Sequence, residues 1–563
     1  MQKKWFLKRK NQQYVDYIAK ATNIHPVLVK VLLNRDINTP QKISAFYNDG
    51  LEVLCAPYEI DGMEMAVVRT LKAIQQKENV LVCGDYDADG VTATSIMVTT
   101  LLSIGACVSY FIPNRFEDGY GFHMSALKIA KKLNVTLIIT VDCGITAFET
   151  IENAKKLNID VIVTDHHEPR FDENNNVILP KAFAIINPKI DCKQTKPYSS
   201  LTGAGLALKM SMGLFEGSFD HLVEMAAIGT IADVAPLTDE NRTIVKKGME
   251  ALTKSKNLGI RTLLQQASLK ANKLTPSALS FSIIPRINAA GRLHSAEAAV
   301  KLFLTDSDTE ASLLATQLDK LNTERQKLEE TVLKQAIAKI EHNSFENVIL
   351  VWDDKWHEGV LGIVASRLVE KYNRPAFVFT VKNNTLKGSA RSVNPLDLCH
   401  SISTCDKWLI KYGGHKQAAG LQLQLENIPH FEEEMNAYIN QNFSKEDFTP
   451  SIMIDADVSL KDLSFQLVKE MEKLSPFGTG NPEPLLASKN LQINKAKIVG
   501  KNHLKCQLAS NGCSIEAIAW DCGNLLSEIN IDNKVDAVFS PSINDWNGNK
   551  HVQLCIRDIR LCR

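Results

Sequence analysis

Three short apolar runs in this chain each end in side chains that bind cations or move protons. Asn79-Val-Leu-Val-Cys83 leads into Gly84-Asp85-Tyr86-Asp87-Ala88-Asp89-Gly90, Leu137-Ile-Ile-Thr-Val141 leads into Asp142, and Asp160-Val-Ile-Val-Thr164 leads into Asp165-His166-His167. Carboxylates and imidazoles gathered at one place resist burial unless a cation neutralises them, so the clusters point to a metal site, binuclear by the number of donors. Oxygen and imidazole ligands suit Mn²⁺, Mg²⁺ or Zn²⁺, and the absence of thiolates argues against a structural zinc. A calcium loop of the EF-hand kind would need a glutamate that Val91-Thr-Ala-Thr-Ser-Ile-Met97 does not supply. Taken singly, Asp142 reads as a helix cap, His166 and His167 as ordinary histidines, and the three aspartates as a solvated turn. The alternation of Asp85, Asp87 and Asp89 lets two of them share a side if the turn is extended.

The elements that must position these groups are parallel strands. The apolar runs are short and β-branched and alternate with helical stretches, the pattern of strands buried on both faces, and such a sheet presents its ligand site at the carboxyl ends of its strands. Cys107-Val-Ser-Tyr-Phe-Ile112 and Phe183-Ala-Ile-Ile186 add two strands, for a mostly parallel five-stranded sheet. Residues 1 to about 75 read as amphipathic helices. Residues 200–300 are helical and hold Ala226-Ala-Ile-Gly-Thr-Ile-Ala-Asp233-Val-Ala-Pro236, in which Asp233 reads as a buried acid in need of a partner. From Thr309 to Glu341 there is no Gly or Pro, and Leu314, Leu318, Leu321, Leu328 and Val332 recur at helical steps, which predicts one long helix. A second α/β domain follows from Asn347 to about Gln441, and the last segment reads as a small β-barrel. The expected boundaries are a helical segment at 1–75, a catalytic domain at 76–240, a helical extension at 241–345, an α/β domain at 346–445 and a barrel at 450–563.

The 563 residues exceed what one core holds, and 45% hydrophobic with 23% charged residues is ordinary for a globular protein. Lys+Arg and Asp+Glu are both 64, so a polyanion must be held by local basic patches and not by a global field. No apolar run reaches the ~20 residues of a membrane span, and the 12 cysteines form no CxxC pair, which together predict a cytoplasmic protein with reduced thiols and no membrane partner.

Asp87-Ala-Asp89-Gly90, Asp142, Asp165-His166-His167 and Asp233 together resemble the DHH phosphoesterase superfamily. Pro113-Asn-Arg115 through Gly119-Tyr-Gly121, Pro285-Arg-Ile-Asn-Ala-Ala-Gly-Arg292 and Leu474-Ser-Pro-Phe-Gly-Thr-Gly-Asn-Pro-Glu-Pro484 narrow the resemblance to its RecJ exonuclease family, over nearly the whole chain. The resemblance implies a DHH domain, a DHHA1 domain and an OB-fold. It implies that Asp87, Asp89, Asp142, His166 and Asp233 hold two divalent ions, Mn²⁺ or Mg²⁺, with Asp142 bridging and with Asp85 and His167 completing or bordering the site. It further implies a 5′→3′ exonuclease that hydrolyses single-stranded DNA to 5′-mononucleotides in repair and recombination, entered through a channel too narrow for duplex. Single-strand-binding protein and a helicase are the implied partners, and a monomer the implied state.

Lys387-Gly-Ser-Ala-Arg-Ser392 and Gly413-Gly-His-Lys-Gln-Ala-Ala-Gly420 combine exposed backbone N–H groups with cationic side chains, the chemistry of phosphate recognition. By resemblance to DHHA1 domains Ser389, Arg391 and His415 hold substrate phosphate, and Arg115 joins them at the terminal 5′ phosphate. Lys489, Lys495, Lys497, Lys501 and Lys505 occur without an intervening acid inside the barrel segment, a basic surface for single-stranded nucleic acid or a solvated face. Trp520 and Trp546 are candidate stacking platforms, weighed against places in the core or rim. Two other readings share the motifs. A nano-RNase or cyclic-dinucleotide phosphodiesterase would have no use for the barrel, and an inactive DNA-binding scaffold would be expected to have lost ligands at the strand ends.

Overall fold

The computed structural model describes residues 3–48, 50–190, 195–270, 274–343, 345–528, 534–546 and 548–562. The chain forms two compact units, one of Trp5–Ile287, Ser295–Ala315 and Ile452–Arg563, the other of Met1–Lys4, Asn288–His294 and Thr316–Ser451.

The chain opens with strand β1 (Lys4–Leu7) and helices α1 (Gln12–Thr22), α2 (Pro26–Leu33), α3 (Pro40–Tyr47) and α4 (Met63–Gln75). Helix was expected throughout this segment; β1 departs from it because its Trp-Phe-Leu run pairs with a strand near residue 452, a partner that local periodicity does not reveal. There follow β2 (Asn79–Cys83), α5 (Ala88–Ser103), β3 (Cys107–Phe111), α6 (Met124–Lys132), β4 (Val135–Val141), α7 (Phe148–Lys156) and β5 (Asp160–Thr164). After a small hairpin of β6 (Arg170–Phe171) and β7 (Val177–Ile178) comes β8 (Ala184–Ile186). Five of these strands form an all-parallel sheet in the order β3-β2-β4-β5-β8, as the apolar runs predict. The chain goes from β2 outward to β3 and then crosses back to β4, so the topological switch lies between β2 and β4, where a ligand crevice opens in such sheets.

Helices α8 (Gly203–Leu214), α9 (Asp220–Ala232), α10 (Asp239–Leu252), α11 (Leu258–Gln266), α12 (Pro276–Ala278), α13 (Ile284–Leu293) and α14 (Glu297–Leu304) come next. The predicted long helix is α15 (Asp308–Asn343), with Leu318, Leu321, Val332, Ala336 and Ile340 buried along its length. The second unit then builds a mixed sheet from β9 (Ile349–Asp353), α16 (Leu361–Tyr372), β10 (Ala376–Lys382), β11 (Thr385–Arg391), α17 (Leu398–Ser403), β12 (Leu409–Gly414), β13 (Ala418–Gln424) and α18 (Ile428–Asn442), with strand order β12-β13-β11-β10-β9.

The chain returns to the first unit with β14 (Ser451–Ile454), β15 (Ala456–Asp457), α19 (Phe465–Glu472), β16 (Leu486–Val499), β17 (His503–Ser510), β18 (Cys513–Ala519), α20 (Leu525–Glu528), β19 (Lys534–Trp546) and β20 (Asn549–Leu561). Strands pair β16-β17-β18-β20-β19, and β19 returns to β16, which closes a five-stranded barrel and leaves it no open edge. Its interior is continuous with the amino-terminal helices: Val15, Ile18, Leu28, Leu32 and Ile43 share one apolar core with Leu460, Leu467, Leu474, Leu504 and Phe539. The helices for which the sequence offers no chemistry thus form part of the barrel's foundation.

Candidate metal centre

The three acid and histidine clusters meet at the carboxyl edge of the parallel sheet. Donor atoms of Asp85, Asp87 and Asp142 lie within 4.8 Å of one another, as do those of Asp89, His166 and Asp233, and those of Asp142, His166 and His167. Every residue that the sequence assigns to this site is present, and Asp142 and His166 each belong to two groups.

The backbone fixes most of these side chains. The Asp-rich stretch is not the extended turn that alternation allows. Asp87 is the N-cap of α5 and accepts from the N–H groups of Asp89 and Gly90, both at 3.0 Å, so Asp89 already leaves the first helical turn. Asp89 is then gripped by the start of α8, whose Gly203 and Ala204 N–H groups donate to its two oxygens at 2.7 and 3.0 Å. A Cβ on Gly203 would stand 2.4 Å from Asp142 Cβ, and one on Gly229 would stand 2.5 Å from Asp89 Oδ1, so both glycines are there to let the acids approach. Asp142 has a positive φ of 61° and its amide donates to Thr164 O, which turns its side chain into the crevice rather than onto α7, whose N-cap is Ala147.

Asp165 organises the histidine pair. Its carboxylate accepts from the amides of Ile145, His166 and His167 at 2.9, 2.8 and 3.0 Å and lies 2.8 Å from His167 Nδ1. Burial alone would raise the Asp165 pKa, but these donors and the His167 charge hold it below the ordinary value. Burial lowers His167, yet the hydrogen bond and charge of Asp165, with Asp233 and Asp87, outweigh it and raise the imidazole to about 9. His166 is pushed down to about 3 by burial and by the neighbouring His167 charge, so it is a neutral imidazole with a free lone pair, the form that ligates metals.

Four other carboxylates are held in the opposite condition. Burial, reinforced by the other acids, raises Asp85 and Asp142 well above the carboxylate range, Asp89 to about 8 and Asp233 to about 6. Asp233 was expected inside the α9 segment as a buried acid. It is instead the residue that ends α9, with a side chain 36% exposed, because the helix stops there and Val234 turns away at a φ of 57°.

A metal fits these residues on two independent grounds. Asp142 Oδ1 lies 2.9 Å from His166 Nε2, yet neither it nor the buried Asp85 Oδ1 has a hydrogen-bond partner. Donor atoms converging at this range, with buried oxygens left unsatisfied, are the arrangement of ligands around a cation, and leaving them so would be costly.

Two nearby residues escaped the sequence reading. The Tyr120 hydroxyl lies 2.9 and 3.0 Å from the two ring nitrogens of His167, on a loop whose flanking Gly119 and Gly121 have φ of 88° and 94°. The Gly-Tyr-Gly string was the only available signal. Asp165 was visible as the first residue of Asp-His-His, but its role depends on amides that no motif displays. Arg115 stacks over Tyr86, 5.4 Å from the ring centroid, and its charge reaches Asp85.

In the second unit Ser389 and Arg391 lie two residues apart on β11, and Arg391 Nη1 donates to Ser389 Oγ at 3.1 Å. The first turn of α16 approaches them: a Cβ on Gly362 would stand 3.0 Å from both Arg391 Nη2 and Ser389 Oγ. Arg391 is opposite Ala418, whose carbonyl accepts from the His415 amide, so the three expected phosphate residues share one end of the sheet. A helix start, a guanidinium and a hydroxyl together form an anion cradle.

On the barrel, Lys489, Lys495, Lys497 and Lys501 are exposed, whereas Lys505 is ion-paired to Glu516 at 2.8 Å. The basic run is thus four lysines and a neutralised fifth, because the acid that the linear stretch lacks arrives from β18. Trp520 is 54% exposed, outside the core; the side chain of Trp546 lies outside the described residues.

Residues 79–230 match the DHH family, N-terminal domain, residues 345–441 the DHHA1 domain and residues 454–558 the RecJ OB domain. The chain is 36% identical to the single-stranded-DNA-specific exonuclease RecJ of Bacillus subtilis (strain 168), over 99% of this chain and 70% of that protein. It resembles the crystal structure of RecJ from Thermus thermophilus in complex with Mn²⁺, with a TM-score of 0.84 at 30% identity, over 99% of this chain and 79% of that one. The same protein in complex with Mg²⁺ gives a TM-score of 0.78 at 29% identity, over 99% and 78%.

Proposed function

This chain belongs to the RecJ family of single-stranded-DNA-specific exonucleases, and from that premise we propose that it is a metal-dependent 5′→3′ exonuclease releasing 5′-mononucleotides from single-stranded DNA. The observation that carries the reading is the pair of buried, partnerless carboxylate oxygens on Asp85 and Asp142 amid like-charged neighbours, which call for a cation. Asp87, Asp89, Asp142, His166 and Asp233 are the proposed ligands of two divalent ions, Mn²⁺ or Mg²⁺; Asp142 and His166 each belong to two donor groups, and Asp142, whose carboxylate has two oxygens to give, is the one proposed to be shared. Divalent ions held by these residues would make a bound water more acidic and would offset negative charge on a substrate phosphate.

The protein's own groups prepare that chemistry. His166 stays neutral, so no proton must leave before it ligates. His167 is held charged by Asp165 beside the crevice, where a cation favours an approaching phosphate, and Asp85 borders the same space. Arg115, Ser389, Arg391 and His415 are the proposed holders of substrate phosphate, and the barrel lysines the proposed track for the strand. A helicase and single-strand-binding protein are proposed partners, since an enzyme that refuses duplex depends on strands opened and kept open by others. No helix among the described residues is long and apolar enough to cross a membrane.

Digestion of end-labelled single strands, duplexes and dinucleotides with Mn²⁺, Mg²⁺ or EDTA tests the reading. We expect mononucleotides from the 5′ end of single strands only, and none in EDTA. Cleavage confined to dinucleotides, or degradation from the 3′ end, would overturn it.

A further inference from the structure

Four of the five proposed metal ligands are aimed by backbone close to them. Asp87 caps α5, Asp89 accepts from two amides, Asp142 is turned by its own positive φ, and the His166 amide is tied to Asp165. Asp233 is the exception. It ends α9, its carboxylate accepts no hydrogen bond among the described residues, and its direction depends on the chain that leaves it. That chain is constrained, for Val234 has a φ of 57°, a left-handed conformation that a β-branched residue holds only where its surroundings enforce it. The Val234 side chain is 66% exposed and contributes little packing to that end.

The enforcing contacts come from the loop between α19 and β16, within the Leu474-to-Pro484 string, which contains no proposed ligand. The Leu237 amide donates to Thr479 O at 2.7 Å. A Cβ on Gly478 would stand 2.8 Å from Leu237 Cδ1, and one on Gly480 would stand 3.1 Å from Thr238 Cγ2 and 3.2 Å from Pro236 Cβ, so the loop backbone lies directly against residues 236–238. From α10, Asn241 donates to Pro236 O at 3.1 Å, which holds the same segment from a second element. The loop has its own internal bracing. Asn481 is 1% exposed and donates to Leu474 O and Pro476 O at 2.8 and 2.7 Å, while the backbones of Gly478 and Asn481 exchange bonds at 3.0 and 3.2 Å. Arg35, just after α2, donates to Asn481 Oδ1 and, at 2.6 Å, to Pro482 O.

We propose that this loop is a positioning element for the metal centre: through Thr479 O, Gly478 and Gly480 it fixes the turn after α9 and so holds the Asp233 carboxylate toward Asp89 and His166, with Asn481 and Arg35 keeping the loop in shape. The inference rests on the metal reading above and adds to it residues that touch neither metal nor substrate. Donor atoms of Asp233, Asp89 and His166 lie within 4.8 Å of one another, a spacing that no hydrogen bond to Asp233 maintains. Outer groups that orient a ligand matter to metal affinity almost as the ligand does. A loop that only filled space would need apolar contact alone. The Asn481 carboxamide, buried and bonded through both its oxygen and its nitrogen, specifies one loop shape.

The test measures Mn²⁺ binding to the full chain by calorimetry, and amide exchange of residues 232–239 in EDTA. Asn481→Ala should weaken Mn²⁺ binding by about tenfold to a hundredfold and speed exchange of the Leu237 amide. In an Asp233→Asn background the same substitution should change the remaining Mn²⁺ binding by less than about twofold, because the ligand through which the loop acts is gone. Unchanged Mn²⁺ affinity in Asn481→Ala, or an equal loss with and without Asp233, would overturn the assignment; the second result is what a loop that merely stabilises the fold would give. If Asn481→Ala fails to fold, Arg35→Gln, which removes the bonds to Asn481 and Pro482, carries the same cycle, and the same two results decide it. If the unmodified chain bound no Mn²⁺, the metal reading itself would fail, and this inference with it, a separate outcome.

Discussion

The strand-end cluster and the outer face of the barrel both present charge to the same proposed polyanion, in opposite physical states. Asp85, Asp89, Asp142 and Asp165 are at most 2% exposed and crowd against like charge, each aimed by amides or by glycine gaps. Lys489, Lys495, Lys497 and Lys501 stand in solvent and form no ion pair among the described residues. Buried groups that are fixed relative to one another act as a unit, so the loss of one should be close to the loss of all. Exposed lysines act as separate phosphate contacts, so their loss should be gradual and screened by salt.

The largest effect should come from Asp142→Ala. If Asp142 links two donor groups, cleavage should fall at least a hundredfold, equivalent to about 3 kcal/mol in the barrier, while single-strand affinity changes little. A variant keeping more than about one per cent of activity would break the comparison at its strongest point. Gly203→Ala follows, because the added methyl overlaps Asp142. We expect at least a tenfold loss of cleavage with no change in the residues that hold the metal, and weaker Mn²⁺ binding by calorimetry; full activity would mean that the acids tolerate displacement. Arg391→Ala should lower capture of 5′-phosphorylated strands by about tenfold, the worth of one charge-assisted bond, and affect 5′-hydroxyl strands less. Equal losses on both ends would reject a phosphate role.

The barrel should respond in increments. Each of Lys489, Lys495, Lys497 and Lys501 replaced by Ala should lower the slope of log K against log salt by about 0.7, hence by roughly 2–3 for all four. Lys505→Ala should do less, since Glu516 already neutralises it. Deleting the barrel is a poor alternative, because the cut would expose the core it shares with α1–α3. An unchanged slope in the quadruple variant would make the lysines a merely solvated face.

The smallest predicted effect concerns stability without metal. Asp89 at about 8 and His167 at about 9 have folded-state pKa values above their unfolded ones, so their contribution is complete below the unfolded values and is lost as pH rises through the folded values. His166 works the other way, but only between about 3 and its ordinary value. From pH 6.5 to 9 the shifts of these residues all act in one direction. In EDTA the melting temperature should therefore fall by a few degrees across that window, and Mn²⁺ should abolish the fall by favouring the ionised carboxylates. A melting temperature that rises with pH in EDTA would contradict this account of the cluster.

What the sequence made legible was the part set by local periodicity. Uniform Val and Ile runs mark strands buried on both faces, and the Leu spacing of 314–332 marks α15, so the carboxyl-edge convergence of the acids could be read before any coordinates. What stayed hidden depends on partners distant in the chain. Nothing near Asp89 announces the amides of Gly203 and Ala204, nothing near Lys505 announces Glu516, and the exposure of Asp233 depends on where α9 happens to end. The role of Asp87 as a helix cap was within reach, since Asp-Ala-Asp-Gly ahead of an apolar stretch is a common way for a helix to begin.

The core shared by α1–α3 and the barrel also has a consequence in time. The apolar faces of α1–α3 are synthesised roughly 400 residues before the barrel strands that cover them, and at ~5–20 residues per second the delay is on the order of 20–80 s. During that interval Val15, Leu28, Leu32 and Ile43 have only the neighbouring helices of α1–α3 as native partners. The parallel sheet, complete by Ile186, can form meanwhile. The apolar faces of α1–α3 that meet the barrel are therefore covered only once the carboxyl-terminal strands have been made.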